Sequence, residues 1–334
     1  MSLPIGNRAT NQVTTIGYWV DSPCLGSLRD VALPPLSDQD VSLSALRSGV
    51  SVGTERLVGR GHVSVKSAES MSCRGMQGSF ALPVLYGYSF VGVANTGPEC
   101  GRRAFVMRPH QRKVIAARAE LHWLPDEVSS ARATLFPNME TARNAVWDAG
   151  LCGEEAIAII GAGAIGLLVA FVLSKEHGGP VVIVECDAER RRMAQALPWI
   201  DLVVAPSELD LGSFAVAFHT SATSAGLQSS IDAVGFEGHV LELSWYGDRS
   251  VTIQLGLDFH SQRKRISASQ VGTVARSQRA LGYPARSMAV MKLLEDSQLG
   301  ALLGNEIAFA DLPETFASIY AGQSYAPCPV VNYE

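Results

Sequence analysis

Ala156-Ile-Ala-Ile-Ile-Gly-Ala-Gly-Ala-Ile-Gly166 is the stretch of this sequence that decides its fold. The apolar run Ala156–Ile160 predicts a buried strand, and the G-x-G-x-x-G pattern after it predicts a tight turn that opens a helix. In that pattern Gly161 permits the turn, Gly163 lets the backbone approach a pyrophosphate, and Gly166 lets helix and strand pack closely. The stretch therefore predicts a dinucleotide-binding unit.

The residues after the turn carry the same signal. The nearly continuous apolar segment Ala164–Glu176 predicts a helix that covers a parallel sheet, and the N–H groups of its first residues, Ala164 and Ile165, favour a phosphate. Val181–Val184 predicts a second strand, which ends at Glu185, 19 residues beyond the last glycine. A carboxylate at this spacing binds ribose hydroxyls in such units.

The same region indicates which dinucleotide is bound. Glu185 is expected to accept hydrogen bonds from both ribose hydroxyls and to repel a 2′-phosphate, which favours NAD. The basic run Arg190–Arg192 follows closely and offers Arg190 to such a phosphate. We therefore expect NAD as the cofactor, with NADP as the alternative.

Composition narrows the class of protein. The 334 residues are 47 % hydrophobic and 18 % charged, which suits a globular protein of two domains. The net charge of −5 leaves no basic surface for nucleic acid, and glycines interrupt the longest apolar stretch, so we expect neither nucleic-acid nor membrane partners. The six cysteines include no C-x-x-C pair, which disfavours structural zinc and disulfides. Because Met1–Gln12 is polar and lacks the apolar region of a signal peptide, we expect a cytoplasmic protein.

Different patterns stand on the two sides of the dinucleotide unit. Alternating segments such as Thr15–Val20 and Val41–Leu46 predict a β-rich domain, and Pro137–Asp148 predicts a helix. Strands and helices then alternate in the order Asp201–Val204, Phe214–Phe218, Ser224–Val234 and His239–Leu243. This alternation predicts a doubly wound parallel sheet. Helices near Pro284 and Pro313 predict a tail that folds back on the N-terminal domain.

The layout resembles that of the medium-chain dehydrogenase/reductase superfamily. Two loops, Ser48–Glu55 and Leu85–Gly92, carry the resemblance, and the Ser-Gly-Val-Ser-x-Gly-Thr-Glu form of the first is most similar to bacterial bacteriochlorophyllide-type hydroxyethyl dehydrogenases. The resemblance implies an α/β fold with a β-rich GroES-like catalytic domain, residues 1–136 with 282–334, and a Rossmann domain, residues 137–281. It also implies an NAD(P)-dependent oxidoreductase that acts on a small-molecule substrate.

The positions that bind zinc in alcohol dehydrogenases of this superfamily hold other residues here. They correspond to Ser51, Tyr88–Ser89 and Pro137–Asn138, and of the four-cysteine lobe only Cys100 remains. Because tetrahedral zinc needs three or four thiolate or imidazole ligands, we expect a zinc-free member.

The resemblance further implies a homodimer joined through the edges of the cofactor sheets. We expect its seam at His239–Leu243 and Val251–Ile253.

Without a metal, side chains must stabilise charge on the substrate oxygen and transfer its proton. By resemblance, Thr54 matches the hydroxyl that relays protons in the zinc enzymes; the alternative is a threonine that caps the loop. Tyr88 replaces the ligand histidine, so its phenol is expected to act as an acid or oxyanion donor, or else to form the cleft wall. His110 precedes a strand that borders the cleft and titrates in a useful range; the alternative is a structurally bonded histidine. Glu55 is expected to bond Tyr88 or Arg56.

Further cofactor contacts are expected where later elements begin or end. Thr141 lies on the helix that faces the nicotinamide, and Thr220, Ser244 and Trp245 follow successive strands at the carboxyl edge of the sheet. Gln270 is expected to contact the carboxamide through its backbone. For Trp245, packing in the core or at a dimer seam is the alternative.

Three functions remain open on the sequence alone. The first is the interconversion of a secondary alcohol and a ketone, and the second is the reduction of a conjugated double bond, as in quinone oxidoreductases. The third is a non-catalytic sensor or scaffold that holds a dinucleotide. The segment Gly59–Phe80, rich in Ser, Gly and Met, is expected to cover the cleft and set specificity.

Overall fold

The structure is a computed structural model that describes residues 13–323 and 325–334. The strands are β1 Thr14–Ser22, β2 Leu25–Ala32, β3 Asp40–Gly49, β4 Gln77–Gly78, β5 Val84–Leu85, β6 Phe90–Ala94, β7 Arg103–Val106, β8 Lys113–Ala117, β9 His122–Trp123, β10 Ile157–Ile160, β11 Val181–Val184, β12 Leu202–Val204, β13 Phe214–His219, β14 Val234–Glu242, β15 Arg265–Ala268, β16 Ile307–Ala308 and β17 Val330–Asn332. The helices are α1 Val52–Gly59, α2 Ser130–Ala133, α3 Phe136–Ala149, α4 Ala164–Glu176, α5 Ala188–Gln195, α6 Ser224–Ala233, α7 Gly282–Leu294 and α8 Leu312–Ala321. Within the described residues, no helix has the length and apolar character needed to cross a bilayer. The segment Met1–Gln12 lies outside the described residues.

The N-terminal part is built from two antiparallel-rich sheets. One has the order β2-β1-β5-β4, and the other has the order β16-β17-β3-β6-β7-β9, with β8 also paired to β3. Alternate residues of β3, β6 and β8 point into a shared core that includes Leu43, Phe90 and Val114. These strands confirm the β-rich domain that the sequence predicted.

The middle of the chain forms a single parallel sheet with the order β12-β11-β10-β13-β14-β15. All four residues of β10 are buried, because helices cover both faces of a doubly wound sheet. The strand order reverses between β10 and β13, and ligands of such sheets bind outside the carboxyl ends of the strands at this point. The predicted doubly wound sheet is confirmed.

The C-terminal residues return to the N-terminal sheets, as the sequence predicted. β17 pairs with β3, and α8 packs against α1 and β2. α7, in contrast, packs against α3, with Val290 and Leu294 in the core that also covers β10. The domain boundaries drawn from the sequence stay a prediction.

The strand expected at a dimer seam is an interior strand. β14, which contains most of His239–Leu243, pairs with β13 on one side and β15 on the other. Val251–Ile253 lies outside the strands. The expected edge is therefore wrong, because β15 has taken that position, whereas the homodimer itself stays a prediction.

Candidate active site

The glycine turn has the geometry that the sequence predicted. Gly161 has a φ of +113°, a conformation that side chains rarely allow, and a Cβ on Gly166 would collide with the carbonyl oxygen of Gly161. Gly163 stands at the N-cap of α4, and no atom lies within 4 Å of the position a Cβ would take there. Thr220 holds the turn from β13, since its hydroxyl donates to the Gly161 carbonyl at 3.0 Å. The turn leaves open space beside the N–H groups of Ala164 and Ile165.

Glu185 lies directly against this turn. Its carboxylate is buried and accepts hydrogen bonds from the backbone N–H of Ala162 at 2.9 Å and of Asp187 at 3.0 Å. Arg190 is exposed in the first turn of α5, whereas the guanidinium of Arg191 donates to the carbonyls that follow β11. The carboxylate is therefore fixed at the end of β11, and Arg190 is exposed to solvent.

The other expected cofactor contacts spread along the carboxyl edge of the sheet. The Ser244 hydroxyl accepts from the N–H of Ala222 at 3.1 Å, and the Gln270 side chain accepts from the N–H of Gly272 at 2.6 Å. Trp245 packs against the apolar cluster of the N-terminal domain. The Thr141 hydroxyl donates within α3 to the Pro137 carbonyl at 3.1 Å, which fixes its rotamer. None of these contacts tests the assignment to a cofactor pocket.

Three hydroxyl groups meet at the N-terminus of α1. Burial raises the pKa of the Tyr88 phenol well above its usual value, and the nearby hydroxyls of Ser51 and Thr54 lower it by less. Ser51 and Tyr88 line a cavity of about 10 Å³ together with Pro137 and Asn138. The three segments that correspond to zinc-ligand positions thus meet at one cavity the size of a water molecule.

The chemistry of this cluster is that of hydroxyl groups. Within residues 13–323 and 325–334, no group of three or more His, Cys, Asp or Glu side chains is arranged to hold a metal ion.

Behind the hydroxyl cluster lies a buried chain of hydrogen bonds. Glu55 accepts from the N–H of Ser51 at 2.8 Å and pairs with Nε2 of His110 at 3.0 Å. Nδ1 of His110 lies 2.7 Å from the Ser48 hydroxyl, which lies 2.9 Å from the phenol of Tyr333. Glu55 and His110 are 4 % and 1 % exposed, so this pair sits behind the cleft wall. The expected partners of Glu55, Tyr88 or Arg56, are wrong, because its carboxylate bonds His110, 55 residues away. His110 itself matches the alternative of a structurally bonded histidine.

Part of the segment Gly59–Phe80 reaches the loop after β14. The carbonyl of His62 accepts from the N–H of Asp248 at 3.2 Å, and the two side chains also lie 3.2 Å apart. Met71 and Met76 pack on the apolar cluster that also contacts Trp245. The segment therefore joins the N-terminal domain to the loop that follows β14.

A second polar cluster was missed by the sequence analysis. His219 and Glu242 end the neighbouring strands β13 and β14, where they are paired in register. The side chains of His219 and Glu242 hydrogen-bond each other. His219 also bonds the Ser221 hydroxyl, and Glu242 also accepts from the Tyr246 phenol. The only available signal was a polar residue at the end of each of two apolar strands.

Comparison with known proteins identifies the fold. No protein-family model matches the chain, and no curated protein matches it significantly. Among solved structures, 2R,3R-butanediol dehydrogenase from Bacillus subtilis superposes with a TM-score of 0.76 at 18 % identity, covering 96 % of this chain and 100 % of that one. A protein described as a zinc-binding dehydrogenase from Sinorhizobium meliloti 1021, bound to NADP, gives 0.75 at 16 % identity over 96 % and 100 % of the chains. A short chain alcohol dehydrogenase from E. coli CFT073, in complex with NADH, gives 0.73 at 14 % identity over 96 % and 99 %. The chain therefore has the fold of these dehydrogenases, with a GroES-like and a Rossmann part.

Proposed function

We propose that this chain is a zinc-independent, NAD(P)-dependent oxidoreductase of the medium-chain dehydrogenase/reductase superfamily, close to the bacteriochlorophyllide-type subgroup. Its reaction is the interconversion of a secondary alcohol and a ketone. The observation that carries the proposal is that Ser51 and Tyr88 line one cavity with Pro137 and Asn138, while the Thr54 hydroxyl lies near the Tyr88 phenol. We further propose that the protein is a cytoplasmic homodimer whose seam is the free edge at β15.

The residues of the Rossmann part fit a dinucleotide. The open space beside Gly163 and the N-terminus of the 13-residue helix α4 suit a pyrophosphate, since backbone N–H groups and the helix dipole both favour an anion there. The Glu185 carboxylate, held at the end of β11 beside the glycine turn, is the group that we assign to the ribose hydroxyls, which favours NAD. Arg190 is exposed in the first turn of α5, five residues further along the chain, and supports NADP as the alternative. When bound, the nicotinamide supplies or accepts the hydride.

Tyr88 is the residue that we assign to the substrate oxygen. A phenol is protonated at neutral pH, and the raised pKa of Tyr88 keeps it protonated at alkaline pH as well, so it can donate a hydrogen bond to that oxygen. An alkoxide is a stronger base than a phenolate, so the proton moves from Tyr88 to the oxygen as negative charge develops there. The hydroxyls of Thr54 and Ser51 stabilise the phenolate and pass on to it a proton that is taken up from solvent.

Glu55 and His110 act as positioning residues in this proposal. One carboxylate oxygen of Glu55 accepts a hydrogen bond from the backbone N–H of Ser51, and the other bonds Nε2 of His110. The pair therefore fixes the start of α1, which carries the Thr54 hydroxyl toward Tyr88.

The test is a turnover screen of metal-free protein with NADH and NADPH against paired ketones and enones. We expect turnover of ketones that is unchanged by added zinc or by a chelator, and we expect it to fall in Tyr88→Phe. The matched control is Tyr325→Phe, whose phenol donates to the Thr315 carbonyl and does not line the cavity of Ser51 and Tyr88. Turnover of enones alone would assign the other reaction, and dependence on zinc would refute the proposal.

A further inference from the structure

The cluster at the ends of β13 and β14 is centred on one carboxylate. Glu242 accepts hydrogen bonds from Nδ1 of His219 at 2.8 Å, from the phenol of Tyr246 at 2.8 Å and from the N–H of Ser244 at 2.7 Å. His219 is fully buried. Three donors thus converge on a carboxylate in a protected place.

The hydrogen bonds indicate the charge of this cluster. Burial raises the pKa of Glu242, but the bonds from His219, Ser244 and Tyr246 outweigh it and lower that pKa below its usual value. In the neutral form of His219 with Nδ1 donating to Glu242, Nε2 accepts from the Ser221 hydroxyl, 2.8 Å away. In this form the cluster carries the single negative charge of the Glu242 carboxylate.

The cluster lies on the path from the glycine turn to the hydroxyl cluster. Along the carboxyl edge of the sheet the order is β11 with Glu185, β10 with the glycine turn, then β13 and β14 with His219 and Glu242. A Cβ on Gly161 would lie 3.1 Å from the backbone N of Ser221, so β13 adjoins the turn directly.

On its other side the cluster adjoins the N-terminal domain. The loop after β14 packs there through Trp245, and a Cβ on Gly247 would lie 3.4 Å from Leu57 of α1, the helix that carries Thr54. A dinucleotide held at Glu185 and reaching toward Thr54 therefore passes the ends of β13 and β14.

We propose that Glu242 is a half-buried anion that stabilises the oxidised dinucleotide relative to the reduced one. The inference rests on the proposed function, because it requires a nicotinamide at this edge. The nicotinamide ring is cationic when oxidised and neutral when reduced, so a nearby carboxylate distinguishes the two forms. Arg249, which is exposed and donates to the Ala222 and Tyr246 carbonyls, opposes this effect only through solvent. The consequence is a bound cofactor that donates its hydride more readily, which favours reduction of the carbonyl substrate.

The test compares affinities rather than activity. Isothermal titration gives the Kd of the oxidised and reduced forms of whichever dinucleotide the wild type binds, and Glu242→Gln removes the charge with little change of shape. For unit charges roughly 10 Å apart at an effective dielectric constant of about 20, the oxidised form should lose about tenfold in affinity relative to the reduced form. For a two-electron couple this equals about 30 mV in the potential of the bound cofactor.

Three further variants separate charge from structure. Glu237→Gln makes the same change in the first half of β14, at an exposed residue paired with Arg263, and should leave the affinity ratio unchanged. Tyr246→Phe keeps the charge and removes one hydrogen bond, so the ratio should stay within about twofold. If Glu242→Gln fails to fold, the double variant His219→Gln/Glu242→Gln replaces the pair by two amides that can bond each other, and it should show the same tenfold change.

Failure of this inference and failure of the proposed function give different results. An unchanged ratio in the folded Glu242→Gln or double variant, with normal binding by wild type, would overturn this inference alone. Binding of neither form by wild type would overturn the proposed function and the inference with it.

Discussion

Removal of the Glu55 carboxylate is expected to destabilise the fold strongly. Glu55 is 4 % exposed and accepts from two donors, the Ser51 N–H and Nε2–H of His110. Glu55→Ala leaves both donors buried without an acceptor, and each costs about 1–3 kcal/mol. The expected loss in the free energy of unfolding is therefore about 4 kcal/mol, in the range measured for broken buried pairs. Glu55→Gln keeps an amide oxygen for one donor and should lose about half as much.

Urea-induced unfolding of the wild type and both variants measures this loss. The control is Glu69→Ala, an exposed carboxylate in the turns between α1 and β4, which should change stability by less than about 0.5 kcal/mol. A loss below about 1 kcal/mol in Glu55→Ala would refute the reasoning, because it would mean that water reaches His110 and Ser51.

Three other predictions concern the cleft and the glycine turn. Gly166→Ala should lower the unfolding midpoint and weaken dinucleotide binding together, because its Cβ meets the Gly161 carbonyl; normal thermal unfolding and titration would contradict this. Glu185→Gln removes the repulsion of a 2′-phosphate and leaves Arg190 nearby, so the ratio of NADPH to NADH affinity should rise about tenfold by titration; an unchanged ratio would count against Glu185 as the selecting group. The folded pKa of Tyr88 is raised above its unfolded value, so the contribution of Tyr88 to stability is complete below about pH 10 and is lost at higher pH. For the same reason kcat/KM should show no alkaline fall from Tyr88 between about pH 8 and 10. A fall in wild type that is absent in Tyr88→Phe would contradict this.

Local signals were enough to predict the elements around the glycine turn. Ala164–Glu176 and Val181–Val184 form the predicted helix and strand with the same bounds, because an apolar run between glycines specifies its element without help from distant residues. The helix at Pro137–Asp148 was likewise marked at its end by Gly150, which takes the left-handed conformation there.

Side-chain partners depended on register and could not be predicted. His219 and Glu242 bond because β13 and β14 pair in parallel with these two residues opposite each other, and nothing in either strand alone specifies that alignment. His110, in the loop between β7 and β8, reaches Glu55 of α1 across 55 residues of sequence, and no local pattern specifies that contact. The edge of the sheet was misplaced because the short strand β15, which is largely exposed, lacks the apolar run that marks the other strands.

Dinucleotide binding at the glycine turn is the claim on which the account depends, and titration of NADH into wild type and Gly163→Asp tests it most directly. The Cβ at residue 163 meets open space and aspartate is a favoured N-cap residue, so the variant should fold as well as wild type. Its carboxylate would occupy and repel the place of the pyrophosphate. The account predicts saturable binding of one NADH per wild-type chain and at least a hundredfold weaker binding to the folded variant. Equal binding by the two proteins, or no binding of NADH or NADPH by wild type, would contradict it.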